Sequence, residues 1–515
     1  MSAQLLELDD FSMRLRLLIG TLVFASLACQ TVMAPFRGDP TATLVPTLPT
    51  PTLAPRPTRI PATPLPSPTP RVEITVQAPL PTLEPPSFNE HGVRLCAYVP
   101  GQSVTAEMPP DVVVTPFPGP FPTPTPLPTT VVDAETTERQ LRIYRQLWRT
   151  VDAHYVYEDF RGHDWRAIGD KYEGYIRAGL SDEDFYRAMG NMIGELGDEH
   201  SSFWSPERVK EEEARLAGNN NYVGVGILVS AVPQADRAVI ITVFPGGPAA
   251  EAGLRSHDAI LRVNGEPILD ENGVLKSGKV RGPEGTQVTL TLQRPGGEPF
   301  DLTLTRRRIT GALPIDYCLV PGTRLGYVFF PSFDDETMPD QLREALEKMT
   351  ADGPLDGLIL DNRQNGGGSS SVAHPILEMF TGGLQGYFVS RRERQPLELD
   401  PVDVNGSQSV PLVVLVDVDT VSYGEIVSGV LRVSGRAIVV GQTTFGNVER
   451  LWGYDFEDGS RAWIASETFE PLGETNGIWE ETGIVPDYSV PTRWDLFTEA
   501  TDPALAKAVE LLLKP

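Results

Sequence analysis

Four apolar runs in the C-terminal part constrain this chain more than any other feature. "RLGYVFFPSF" (324–333), "DGLILDNR" (356–363), "PLVVLVDV" (411–418) and "RAIVVGQTTFG" (436–446) are each rich in branched or aromatic residues. Within their apolar stretches apolar and polar residues do not alternate, so each reads as a strand buried on both faces. Between the first two, "ETMPDQLREALEKM" (336–349) has the apolar spacing of a helix. Strand and helix in turn build βαβ units, which predicts an α/β fold with a mainly parallel sheet.

A chain of 515 residues exceeds one core, so two or three folded units are expected. Proline marks what lies outside them: 26 of the 48 prolines precede residue 131. The Thr/Pro repeats of 40–86 and 116–128 favour extended polyproline II, so 30–133 reads as a linker reaching on the order of 300 Å at ~3.1 Å per residue. Within it, "HGVRLCAYVPG" is a strand-like stretch without an assigned place. Upstream, Arg14 and Arg16 precede the apolar run Leu17–Leu27, which is too short for a stable span and suits a secretion signal in 1–29. Acidic Glu7, Asp9 and Asp10 lie where positive charge is expected, which points to Met13 as the start. "SLAC" resembles the lipidation site of bacterial lipoproteins at Cys29. Lipidation, simple secretion and a retained anchor stay open, and all three place the folded part outside the cytoplasm, with a membrane tether through Cys29 in the first. An oxidising compartment permits a bridge between Cys96 and Cys318. The formal charge of −26 argues against nucleic acid or an anionic membrane surface as the main partner.

Residues 134–207 read as a small helical unit. Leu141, Tyr144, Leu147, Trp148 and Val151 share one helical face, and "SDEDFYRAMGNMIGEL" opens with Ser181 as an N-cap. Residues 208–312 are β-rich and glycine-rich. "YVGVGILV", "GPAAEAGL", "DAILRVNG" and "RGPEGTQVTLTLQR" follow in the order found in PDZ domains of secreted bacterial proteases, and the segment resembles one. That resemblance implies a cradle for a peptide's terminal carboxylate at Gly224, Val225 and Gly226, with the peptide added to the sheet edge.

In open α/β sheets chemistry collects beyond the carboxyl ends of the strands. After "LILD" comes "NRQNGGGSS", where successive glycines permit close backbone approach. After "VVLVDV" comes Ser422, at an expected helix start. Amides of the glycine loop and of Tyr423 are placed to converge on a developing oxyanion, the shape of an acyl-transfer site.

Residues 135–490 together resemble the C-terminal processing peptidases, or tail-specific proteases, whose catalytic domain (here 313–515) is ClpP/crotonase-like. "LILDNRQNGGG" is similar to the family's strand and glycine loop, "VSYGEIVSGVLRVSGRAIVVGQTTFG" to its nucleophile helix, next strand and turn, and "GIVPDY" to its terminal signature. The resemblance implies Ser422 as nucleophile, with Tyr423 and one of Gly367 or Gly368 as oxyanion donors. It fails at one position. The family's general-base Lys, 25 residues after the nucleophile, is Asn447 here. Beyond residue 313 only Lys348, Lys507 and Lys514 occur, one in a helix and two near the tail.

Histidine is the remaining base with a suitable pKa. His91, His154, His163 and His257 read as linker or surface residues, which leaves His374, six residues after the triple glycine, and His200 in "LGDEHSSF". The latter resembles a "DxH" motif of the tricorn-like branch, which uses a Ser–His pair supported by a Glu. That resemblance implies His200 as base and Glu480 as its orienting group, with Glu481 as rival. It departs where the branch has a second Ser and this chain has Glu199. The leading reading is a serine endopeptidase acting on peptide tails without metal or cofactor. A catalytically inactive, peptide-binding pseudoprotease is the alternative that Asn447 motivates, and an esterase on the same scaffold is a weaker third.

Overall fold

The computed structural model describes residues 86–102, 104 and 131–514, apart from 199, 272 and 474–478. The leader, Cys29, Glu199 and most of the linker therefore lie outside the described residues.

The helical unit comprises α1 (Ala134–His154), α2 (Trp165–Ala178) and α3 (Asp182–Gly194). Asp133 caps α1 by accepting from Thr136 N–H at 2.7 Å, and Ser181 caps α3 by accepting from Asp184 N–H at 3.1 Å. Strand β1 (Ser202–Trp204) and α4 (Pro206–Leu216) lead on to the second unit. There β2 (Asn220–Gly224) pairs with β9 (Arg307–Gly311) at the base of the domain. Between them β3 (Ile227–Val232), β4 (Arg237–Val243), the short helix α5 (Pro248–Glu251), β5 (Ala259–Val263), β6 (Glu266–Pro267), β7 (Gln287–Gln293) and β8 (Phe300–Thr305) form the PDZ-type fold. Its sheet runs β3-β4-β5-β7-β8 around its own apolar core, which includes Ile240, Ile260 and Leu290.

The third unit contains β10 (Asp316–Leu319), β11 (Leu325–Phe329), α6 (Met338–Met349), β12 (Gly357–Asp361), α7 (Ser370–Glu378), β13 (Gly383–Val389) and β14 (Arg394–Leu399). It continues through β15 (Leu412–Val416), α8 (Tyr423–Val433), β16 (Ala437–Gly441), β17 (Arg450–Asp455), β18 (Arg461–Pro471), β19 (Tyr488–Ser489) and α9 (Pro503–Leu513). The central sheet is ordered β10-β11-β12-β15-β16-β19, and every pair is parallel except β10–β11. All residues of β11, β12 and β15 are buried, which is why their sequences read as unbroken apolar runs.

Two features depart from the sequence expectation, both for long-range reasons. The helical unit has no core of its own: Leu147, Tyr155 and Met192 share one with Phe456, Ile464 and Ala465 of the β17–β18 region. Strand β1 pairs antiparallel with β18, and Ala465 N–H donates to Ser201 Oγ at 3.0 Å. The residues just after α3 are thereby fixed to the catalytic unit. His257, expected at the surface, is buried instead. Its ring stacks on Trp494 at 4.1 Å between centroids, and its Nδ1 lies 2.8 Å from the Trp494 carbonyl. The stretch around Cys96 also has a place. Leu95 bridges to Leu319 in parallel, and Cys96 and Cys318 form a disulfide with their Cα atoms 5.2 Å apart.

Candidate active site

Strand β15 ends at Val416, and the chain turns sharply before α8. Ser422 occupies that turn as the N-cap, with φ 57° and ψ −125°. A non-glycine residue held at positive φ stores roughly 1–3 kcal/mol of strain, and such residues collect at functional sites. The turn is held from both sides. Ser422 N–H donates to the Asn447 carbonyl at 2.9 Å and to Glu425 Oε2 at 3.2 Å. Glu425 also accepts from Gly446 N–H at 2.7 Å, from Asn447 N–H at 2.8 Å and from the Thr444 hydroxyl. Burial raises the Glu425 pKa, although each of these donors favours its charged form.

The glycine loop after β12 is stitched to the nucleophile turn. Val421 N–H donates to the Asn365 carbonyl at 3.0 Å, and Gln364 N–H to Asp417 Oδ1 at 3.1 Å. The fit allows no side chain at Gly367, where φ is +89° and a Cβ would lie 2.6 Å from Ser422 Cβ and 3.0 Å from Tyr423 N. Gly367 N–H donates to Asn365 Oδ1 at 2.9 Å, so it is already engaged. Among the described residues, the amides of Gly368 and Tyr423 have no protein acceptor. Of the two glycines left open by sequence, Gly368 is the one with an amide to offer.

Asn447 sits beside the nucleophile, as the chain order implies, and contributes only its backbone. Its side-chain Oδ1 is buried without a partner among the described residues. Two residues further on, Glu449 points to a different neighbour. The side chain of Glu449 is 0% exposed, and its Oε2 lies 3.1 Å from Nδ1 of His200. Tyr157 donates its hydroxyl to the other oxygen, Oε1, at 2.9 Å. Burial opposes ionisation of Glu449. Hydrogen bonds from His200, Tyr157 and Glu480, together with the His200 charge, outweigh it and hold the carboxyl below the usual range. Asp198 sets the His200 backbone by accepting from His200 N–H at 3.1 Å and from Ser201 N–H at 2.8 Å. This turn gives the "DxH" spacing its structural purpose.

The sequence expectation put Glu480 on His200, but the ring's partner is Glu449. Glu480 accepts Val448 N–H on Oε2 at 2.8 Å, one residue before Glu449, and lies within reach of the Glu449 charge. Burial first, and the Glu449 charge second, push Glu480 up to about 9. Glu481 faces solvent and reaches Arg161 at 3.4 Å. His374 stands near the nucleophile helix, 5.7 Å from the Tyr423 ring, where burial and then Arg450 lower its pKa to about 4. It has no carboxylate beside it among the described residues. The His200 ring and Ser422 Oγ share no hydrogen bond among the described residues; the segment 446–449 touches both, through the Asn447 carbonyl on Ser422 N–H and the Glu449 carboxyl on the His200 ring. In the PDZ-type unit, Gly224, Val225 and Gly226 form the turn from β2 to β3, and the Val225 and Gly226 carbonyls accept from Ala249 and Phe244 N–H.

Sequence reading missed Glu449, Tyr157 and Glu425. Glu449 and Tyr157 left no local signal, because each is defined by a partner hundreds of residues away. Glu425 lies in the "SYGE" string already singled out, but its role in holding the 444–447 turn depends on contacts across the fold.

A serine displayed on a strained strand-to-helix turn, in an α/β unit carrying a PDZ-type domain, defines a serine peptidase. Comparison with known proteins narrows this. The peptidase family S41 model matches residues 324–490, the tricorn protease C1 domain model matches 137–194, and a PDZ domain model matches 239–294. A carboxyl-terminal-processing protease of Synechocystis sp. is 30% identical over 382 residues, covering 72% of this chain and 84% of that protein. The carboxy-terminal processing protease CtpA of Bacillus subtilis is 28% identical over 275 residues, covering 53% of this chain and 57% of that protein. Among solved structures, a photosystem II D1 C-terminal processing protease matches with TM-score 0.51 and 25% identity, over 73% of this chain and all of that one. The chain belongs to the carboxyl-terminal-processing proteases of peptidase family S41, which are serine-type enzymes.

Proposed function

We propose that this chain is an extracytoplasmic endopeptidase that works with a Ser–His pair in place of a Ser–Lys dyad. The observation that carries the reading is the His200–Glu449 contact, on the same segment whose Asn447 carbonyl holds Ser422. With Nδ1–H donated to Glu449, the neutral imidazole keeps Nε2 free to accept a proton. Ser422 Oγ then loses its proton to Nε2 as it attacks the scissile carbonyl. The oxyanion takes hydrogen bonds from Gly368 and Tyr423 N–H. His200 returns the proton to the leaving amine, and water attacks the acyl-enzyme by the same route. The turn at Gly224, Val225 and Gly226 captures the carboxylate of a peptide tail, and the peptide extends the PDZ-type sheet.

The Cys96–Cys318 disulfide favours a location outside the cytoplasm. The apolar leader ending in Cys29 supports export, with lipid on Cys29 as the membrane tether. Cleavage of a peptide with a free C-terminus, alongside fluorophosphonate labelling, tests the reading. Wild type is expected to cleave and to label, and Ser422→Ala and His200→Ala to do neither.

A second reading, a peptide-binding module without catalysis, is favoured by the absence of a Ser422–His200 hydrogen bond among the described residues and by Asn447. Wild type that stays unlabelled where a Ser–Lys relative reacts establishes that second reading.

A further inference from the structure

We propose that Glu449 is the residue that positions His200, and that Glu480 serves it as a neutral acid, so that the two buried carboxyls carry one negative charge between them. The proposal rests on the Ser–His reading above and assigns the third member of that site to a residue the family resemblance did not indicate.

The donors decide which carboxyl is charged. Glu449 receives the His200 ring nitrogen at 3.1 Å on Oε2 and the Tyr157 hydroxyl at 2.9 Å on Oε1. Among the described residues Glu480 receives one such donor, Val448 N–H at 2.8 Å, on Oε2. Both are nearly inaccessible to water, Glu449 at 1% and Glu480 at 8% exposed, and the Glu449 charge opposes ionisation of Glu480. Two neighbouring carboxylates out of water do not both ionise, and the proton stays on the one with fewer donors. That is Glu480, which then offers an O–H to Glu449. Glu449 gains a third donor, and His200 faces one negative charge rather than two.

Other charged and titratable groups bear on the pair from each side. Glu425 on α8 adds negative charge toward Glu480 and disfavours its ionisation further. Arg161 acts on both Tyr155 and Tyr157, and its guanidinium reaches Glu481 at 3.4 Å. Asp198 acts on Tyr155 and fixes the His200 backbone. Arg161 also bears on Glu449, ahead of Glu481, so the one charge of the Glu449–Glu480 pair faces the Arg161 guanidinium as well as the His200 ring.

Glu449→Gln and Glu480→Gln distinguish the two carboxyls, because an amide imitates a neutral acid but not a carboxylate. The measurement is the second-order rate of fluorophosphonate labelling of the full chain from pH 5.5 to 10, with thermal melting as a check of folding. Glu449→Gln is expected to lower the rate at pH 7.5 by roughly 10³-fold or more, the scale of losing the carboxylate from a Ser–His–Asp site. Glu480→Gln is expected to lower it by no more than about fivefold, since an amide N–H replaces the acid O–H. It is also expected to flatten whatever pH dependence the ionisation of Glu480, pushed up to about 9, gives the wild-type rate.

The reverse order of effects in folded proteins, with Glu480→Gln the severe change, overturns the proposal while leaving the Ser–His reading intact. Should Glu449→Gln fail to fold, Glu480→Gln alone decides: a loss of a hundredfold or more overturns the proposal, and a mild loss with a flattened alkaline pH profile supports it. The Ser–His reading itself fails if wild type stays unlabelled or if His200→Ala labels like wild type.

Discussion

The two halves of the proposed catalytic site are assembled in opposite ways. The nucleophile half is built within one unit, from the loops after three adjacent parallel strands. Ser422, Gly367, Tyr423 and the 444–447 turn are gathered there, with Glu425 at the centre. The base half joins distant segments: His200 and Glu449 are 249 residues apart in sequence, and Tyr157 and Glu449 are 292 apart. Short-range geometry holds the first half, whereas the second exists only because β1 pairs with β18 and the helical unit shares its core with that region. A substitution on the nucleophile side disturbs a rigid turn. One on the base side disturbs a charge relay whose scaffold can survive it.

The largest expected effects do not separate the halves. Ser422→Ala and His200→Ala each remove a member that acts as a unit with the other, and losses of roughly 10⁶-fold in kcat are expected for each. Equal losses in peptide cleavage, with unchanged melting temperatures, establish that the halves are one machine.

Gly367→Ala strikes the nucleophile half alone. A Cβ 2.6 Å from that of Ser422, at φ +89°, forces the loop away. Loss of an oxyanion donor's position is worth about 10²–10³-fold in kcat. Here melting falls together with rate, by roughly 1–3 kcal/mol in stability, from the strained φ.

Tyr157→Phe strikes the base half alone. It deletes one hydrogen bond to a buried carboxylate, worth about 1.5–3 kcal/mol, so activity drops by roughly tenfold or more. The loss appears in kcat with KM little changed.

Asn447→Ala is the smallest. The side chain has an unpartnered buried Oδ1 and takes no proton, while the backbone bonds to Ser422 and Glu425 persist. A change in kcat/KM within about threefold is expected, the order of an ordinary buried truncation of ~0.7 kcal/mol. A loss beyond a hundredfold assigns the amide a chemical part that the account denies it.

The same contrast explains what was legible in the sequence. The unbroken apolar runs disclosed the parallel sheet because burial on both faces removes alternation. Ser422 and the triple glycine stood out because a helix start and a close backbone approach each leave a local mark. His200 was found only through resemblance. Glu449 was missed because nothing near it in sequence reveals a partner 249 residues away. His257 failed for the same reason: its stacking partner, Trp494, lies in a different unit. The expectation that Glu480 touches His200 came close, but the carboxyl in contact is contributed by the run that follows Asn447.

The most direct test is the rate at which Ser422 is phosphonylated by a fluorophosphonate in wild type and in His200→Ala, compared at pH 7.5 with matched melting temperatures. The account predicts a fall of at least a hundredfold in the variant. An equal rate in the two proteins would contradict it, because the hydroxyl would then be activated without the imidazole.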